Sequence, residues 1–129
     1  VKYREGTSED FGKISWLLTI SNYYPATNAQ RLGGNWIVAE TDDGEIVGCI
    51  WAFAQAPNAY VDYWFVIPRF RKSKVPARLM VAMQHALGEA GVKYVRATVL
   101  ADNVDATRMV EAIGMYTHDG YKLAYKALH

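Results

Sequence analysis

Five cations, Arg69, Arg71, Lys72, Lys74 and Arg78, fall within ten residues of one another. They lead into an apolar stripe of helical spacing, with Pro76 close to where that helix must begin. A helix start offers backbone N–H groups without intrahelical partners together with the positive end of the helix dipole, so it suits a phosphate. Arginine and lysine side chains beside it would add charge-assisted hydrogen bonds to phosphate oxygens. The same run also reads as a solvated basic surface or a nucleic-acid patch.

Asp62 is the second residue of chemical interest, as the only carboxylate in the stretch YVDYWFVI from 60 to 67. By the period of two it shares a face with Tyr60, Trp64 and Val66. It reads either as a general base or as a strand aspartate hydrogen-bonded at the end of a sheet. Cys49, the only cysteine, lies among apolar neighbours with no adjacent base and looks structural. His85, His118 and His129 show no ligand spacing, so no metal is expected.

These residues need elements to hold them. Residues 2 to 6 suit an opening strand, and Thr7-Ser8-Glu9-Asp10 reads as a helix start, a hydroxyl cap followed by carboxylates. Phe11, Ile14, Leu17, Leu18 and Ser21 make one helical stripe, followed by an irregular stretch from 22 to 34. Strands are expected over 36 to 41 and 46 to 54, joined by a hairpin at Asp42-Asp43-Gly44-Glu45. After a turn at Pro57-Asn58 comes a strand over 60 to 67. The basic segment from 68 to 77 then enters a helix whose core face is Leu79, Met80, Met83, Leu87 and Ala90, ended by Gly91. A strand from 94 to 100, a helix from 103 to 113 and a tail of one or two strands from 116 to 128 complete the chain, with Asp119-Gly120 as a turn or bulge. The order is β-α-β-β-β-α-β-α-β. Consecutive strands joined by tight turns pair antiparallel, whereas strand–helix–strand from 60 to 100 demands a parallel crossover. A mixed, largely antiparallel α/β sheet with helices on its faces follows.

The chain has 129 residues, 51% hydrophobic and 21% charged, which suits one domain over 1–129 with a substantial core. A net charge of +1 gives no global attraction to nucleic acid or anionic membrane. No apolar run approaches the roughly 20 residues of a membrane span. The opening residues lack the apolar stretch of a secretory signal. A reducing, cytoplasmic setting is the expectation, and a homodimer through a sheet edge or the tail is left open.

Two stretches carry a family resemblance. Val66-Ile67-Pro68-Arg69-Phe70-Arg71-Lys72-Ser73-Lys74-Val75-Pro76-Ala77 resembles the strand–loop–helix of the GNAT superfamily of N-acetyltransferases, in which valine-x-proline leads into Gln/Arg-x-x-Gly-x-Gly/Ala. Asn103-Val104-Asp105-Ala106 followed by Met109-Val110-Glu111-Ala112-Ile113-Gly114-Met115 resembles its later Asn-x-x-Ala and apolar-Tyr-Glu-x-x-Gly-Phe run. The order of elements agrees over essentially the whole chain. Lys74 and Pro76 stand where the superfamily has glycines or alanine, and Val110 where it often has a catalytic tyrosine.

The resemblance implies acetyl-CoA as cofactor, a primary amine on a small molecule or protein as acceptor, and direct transfer in a ternary complex. It implies a cofactor site at Arg71, Lys72, Ser73, Lys74, Val75, Pro76, Ala77 and Arg78, with the pantetheine arm paired to the main chain of Phe65 and Val66. Asn103 matches a position that contacts the pantetheine arm, and it reads equally well as a helix cap. Asp62 would be the base, one pleat from the usual glutamate position, and a backbone N–H near Val66 would hold the oxyanion. The alternative is a GNAT-fold domain without catalysis that serves as a binding or structural module. Nucleic acid is disfavoured by the near-neutral charge.

Overall fold

The computed structural model describes residues 1–14, 35–99, 104–112, 116–117 and 122–127. Among these residues, seven strands form one sheet: β1 (Lys2–Glu5), β2 (Asn35–Glu40), β3 (Ile46–Gln55), β4 (Asn58–Val66), β5 (Tyr94–Val99), β6 (Tyr116–Thr117) and β7 (Lys122–Ala127). Their spatial order is β1-β2-β3-β4-β5-β7-β6. Among the described residues, α1 spans Val75–Glu89 and α2 spans Val104–Ala112. Every neighbouring pair of strands is antiparallel except β4 with β5. That pair is the one joined through α1, as a crossover between parallel strands requires. The tail forms two strands.

The hairpin between β2 and β3 is made by its own residues. Thr41 N–H donates to the Glu45 carbonyl at 2.9 Å, and Glu45 N–H donates to the Thr41 hydroxyl at 3.1 Å. Gly44 takes φ 86°, a conformation that a β-carbon would strain.

α1 covers one face of the sheet through Val75, Leu79, Met80, Met83 and Leu87, all buried. Full burial of such side chains is worth roughly 1.5–3 kcal/mol each, so this stripe anchors the helix. Ala90, expected on the same face, is exposed because the helix ends at Glu89. Val110 of α2 joins the core on the α1 side. The opposite face is covered by a helical turn at 11–14, where Ile14 packs with Val38, Ile46, Cys49 and Phe65. At its start the expected hydroxyl cap is reversed: the Thr7 hydroxyl donates to Asp10 at 3.1 Å, and Asp10 also accepts from Thr7 N–H at 2.8 Å. Leu17, Leu18, Ser21, the stretch 22–34 and Asp119-Gly120 lie outside the described residues.

Candidate active site

β4 is paired to β3 along its length, from Gln55↔Asn58 to Gly48↔Val66. To β5 it is paired only from Asn58↔Tyr94 to Val61↔Ala97. β5 continues through Thr98 and Val99 with β7 as its partner. The sheet therefore divides after Val61 and Ala97 into two leaves. Among the described residues, β4 has no strand on its far side from 62 to 66.

The ladder decides which main-chain groups face that gap. Ile67 N–H donates to the Val47 carbonyl at 2.9 Å, so Ile67 turns its main chain toward β3. Direction alternates along a strand, so Phe65 also faces β3, in register with Cys49, while Trp64 and Val66 face the open side. Of the two residues expected to pair with an extended ligand, Val66 presents its main chain to the gap and Phe65 presents it to β3. Trp64 is the one that sequence reading passed over, although the period of two from Val66 points to it.

Asp62 occupies a β-bulge. Trp51 is in register with Tyr63 and Ala52 with Val61, which leaves Asp62 as the extra residue of β4. The bulge breaks the alternation: Ala59 and Val61 pack on the α1 side before it, and Val66 with Trp64 after it. Tyr60 therefore does not share a face with Trp64 and Val66, contrary to the period of two. The bulge places Asp62 at the first residue of the open edge, beside the point where the leaves part.

The far end of the open edge leads into the basic loop. A short 3₁₀ turn, Pro68–Phe70, follows β4, and α1 begins at Val75 with Lys74 as its cap residue. Lys74 has φ −77°, so this backbone accommodates a side chain without strain where the related pattern has glycine. Pro76 is at the second helical position, where the N–H it lacks would have no intrahelical partner. Val75 N–H donates to the Ser73 hydroxyl at 3.2 Å, and Arg78 N–H to the Lys74 carbonyl at 3.0 Å. Ala77 N–H is left as the donor of the first turn with no partner among the described residues.

Two side chains brace this loop against β4. Trp64 Nε1 donates to the Pro76 carbonyl at 3.1 Å. Arg71 Nε donates to the Val66 carbonyl at 2.9 Å, and its guanidinium lies 5.6 Å from the centre of the Phe65 ring. Behind them Gly48 allows close packing: a β-carbon there would lie 3.0 Å from the Phe65 carbonyl oxygen and 3.1 Å from Leu79 Cδ1.

The cations divide by role. Arg69 pairs with Glu45 of the β2–β3 hairpin and packs over Phe70, so it ties two loops together. Lys72 and Lys74 are exposed and have no ion pair among the described residues. Arg78 lies near enough to Tyr3 to act on its hydroxyl, whose pKa is nonetheless raised, chiefly by burial. Burial pushes the Cys49 thiol up to about 12, and the side chain is enclosed in the smaller core cluster. Val110 is wholly buried in the main core. Asn103 lies outside the described residues, and no group of three His, Cys, Asp or Glu side chains converges among the described ones.

The sheet of this chain thus divides beside β4, with a basic helix start at one end of the open edge. The model of the acetyltransferase (GNAT) family matches residues 5–115, and the chain belongs to that family. A comparison with curated proteins found no match. Among solved structures, an aminoglycoside 6'-N-acetyltransferase complexed with coenzyme A is similar at a TM-score of 0.84 and 13% identity, covering 100% of this chain and 98% of that one. The ribosomal-protein-S18-alanine N-acetyltransferase from Escherichia coli gives 0.83 at 15% identity, covering 98% and 93%. The PaiA N-acetyltransferase from Thermoplasma acidophilum, in complex with coenzyme A, gives 0.76 at 16% identity, covering 98% of each. At these identities the likeness concerns the fold. No helix among the described residues is long and apolar enough to cross a membrane.

Proposed function

We propose that the protein is an acetyl-CoA-dependent N-acetyltransferase in which a primary amine attacks directly within a ternary complex. The observation that carries this reading is the open edge of β4, running from the Asp62 bulge to the start of α1. Trp64 offers its main-chain N–H and carbonyl to an extended, amide-bearing arm, as a sheet edge does to an added strand, while Val66 keeps its N–H toward the gap and its carbonyl with Arg71. At the mouth, Ala77 N–H and the Lys72 and Lys74 ammonium groups suit phosphates. Arg71, Ser73, Val75, Pro76 and Arg78 shape that mouth, and Asn103 is carried into the site by the family pattern. When bound, acetyl-CoA supplies the acyl group as a thioester.

The chain's own residues then have three tasks. An alkyl ammonium of pKa about 10.4 must lose a proton before it can attack, and Asp62 is the residue proposed to receive it. Val66 N–H, aimed into the gap, is the donor available to negative charge growing on the carbonyl oxygen. No residue has to protonate the leaving thiol fully, because its pKa is about 8.5, so Val110 is compatible with turnover. The acceptor is an amine on a small molecule or protein. One domain over 1–129 and a cytoplasmic setting belong to the same reading.

Incubation with acetyl-CoA and a panel of amines should release free coenzyme A. Asp62→Asn should lower the rate by about 10²–10⁴. Val110 favours a second reading, a GNAT-fold binding module without catalysis, since a fully buried valine offers no proton. Cofactor binding with no release from any amine would decide for that second reading.

A further inference from the structure

One row of side chains crosses the sheet at the apex of the gap. Tyr60 is in register with Phe53 on β3 and with Arg96 on β5. Ala59 and Val61 on either side of Tyr60, and Val95 and Ala97 on either side of Arg96, are buried on the face that α1 covers. Tyr60 and Arg96 therefore stand on the opposite face, as does Phe53 between Ala52 and Ala54. Tyr60↔Arg96 is one step before Val61↔Ala97, the last pair that β4 and β5 share. Neighbouring strands lie about 4.8 Å apart, so the three side chains form one short patch. Phe53 and Tyr60 are 42% and 41% exposed. Arg96 is exposed and has no ion pair among the described residues.

We propose that this row selects the acceptor: an aromatic or apolar amine that carries a carboxylate, with the carboxylate held by Arg96 and the body lying on Phe53 and Tyr60. The proposal rests on the acetyltransferase reading for the direction of approach. α1 packs on the other face of the sheet, and Phe53, Tyr60 and Arg96 stay exposed on this one, so an acceptor that reaches the apex from this face meets the row. A bare ammonium arriving there meets the Arg96 guanidinium and is repelled. An amine with its own carboxylate is instead drawn in, because a guanidinium can bind both carboxylate oxygens at once. The exposed rings supply amphipathic contact area beside that cation. A charged hydrogen bond of this kind is worth about ten- to hundredfold in affinity.

The test uses two product-like ligands and requires no turnover: N-acetylphenylalanine and N-(2-phenylethyl)acetamide, which differ by the carboxylate. Both are titrated by calorimetry into the full chain, its Arg96→Gln and Arg96→Lys variants, with melting curves to confirm folding. The wild type should prefer N-acetylphenylalanine about tenfold or more, Arg96→Gln should bring the ratio close to one, and Arg96→Lys should restore part of it. A wild-type ratio near one, a ratio that survives in Arg96→Gln, or binding of neither ligand would overturn the proposal. Failure of the acetyltransferase reading shows elsewhere, as absence of acetyl-CoA binding, so the two are told apart.

Discussion

The Arg71 side chain is bonded to the main-chain carbonyl of Val66, with Nε and oxygen 2.9 Å apart. This contact joins the basic loop to the last residue of the open edge, so the loop and the edge keep a fixed relative position. Arg71→Ala should weaken coenzyme A binding about three- to tenfold, the worth of about one hydrogen bond. Arg71→Lys should not restore it fully, because an ammonium lacks the planar fork that lets Nε bond while the remaining nitrogens face outward. Calorimetric titration of both variants checks this.

Trp64 should behave as a positioning residue. Trp64→Phe keeps the ring but removes the donor to the Pro76 carbonyl, at an expected cost of about 1 kcal/mol in unfolding free energy. Coenzyme A affinity should fall with it, since the start of α1 loses its tie to β4. Urea unfolding and cofactor titration on the same sample separate the two effects.

Gly48 sets the spacing behind the gap. A β-carbon there meets the Phe65 carbonyl oxygen at 3.0 Å, and a backbone atom in a central ladder cannot easily move away. Gly48→Val should destabilise by roughly 1–3 kcal/mol or more, the usual cost of overpacking. A variant as stable as the wild type in urea would contradict this account of the packing.

Acid should weaken the corner where β1 meets the first helical turn. The Arg4 guanidinium bonds both oxygens of Asp10, at 2.8 and 2.9 Å, and also reaches Glu40 at 2.8 Å. These bonds hold the Asp10 carboxyl at about 2, against an ordinary value of 3.8. The folded value lies below the unfolded one, so the stabilisation is complete above about pH 4 and fades as pH falls toward 2. Asp10→Asn should lose on the order of 2 kcal/mol at neutral pH, and the gap to wild type should close toward pH 2. Denaturant unfolding across that range measures it.

Much of this was readable from local pattern. The hairpin is encoded in the four residues Asp42-Asp43-Gly44-Glu45, and the α1 core face in the spacing of Leu79, Met80, Met83 and Leu87. The bulge at Asp62 was not readable, because one extra residue leaves no mark in a strand that is apolar and aromatic on both faces. For that reason the period of two assigns Tyr60 to the face of Trp64. The facing of Trp64 and Val66 toward the gap depends on the register with β3, which is set by distant residues. Arg69 reads as one of five similar cations until the fold brings it to Glu45, 24 positions away in the chain.

The most direct test of the central claim is calorimetric titration of the purified protein with acetyl-CoA, with desulfo-CoA as comparison. Micromolar binding of acetyl-CoA, weakened when Lys72 and Lys74 are changed to alanine, is the predicted result. Absence of binding at millimolar cofactor would contradict it, for the edge at Trp64 and Val66 and the helix start at Ala77 would then not form a cofactor site.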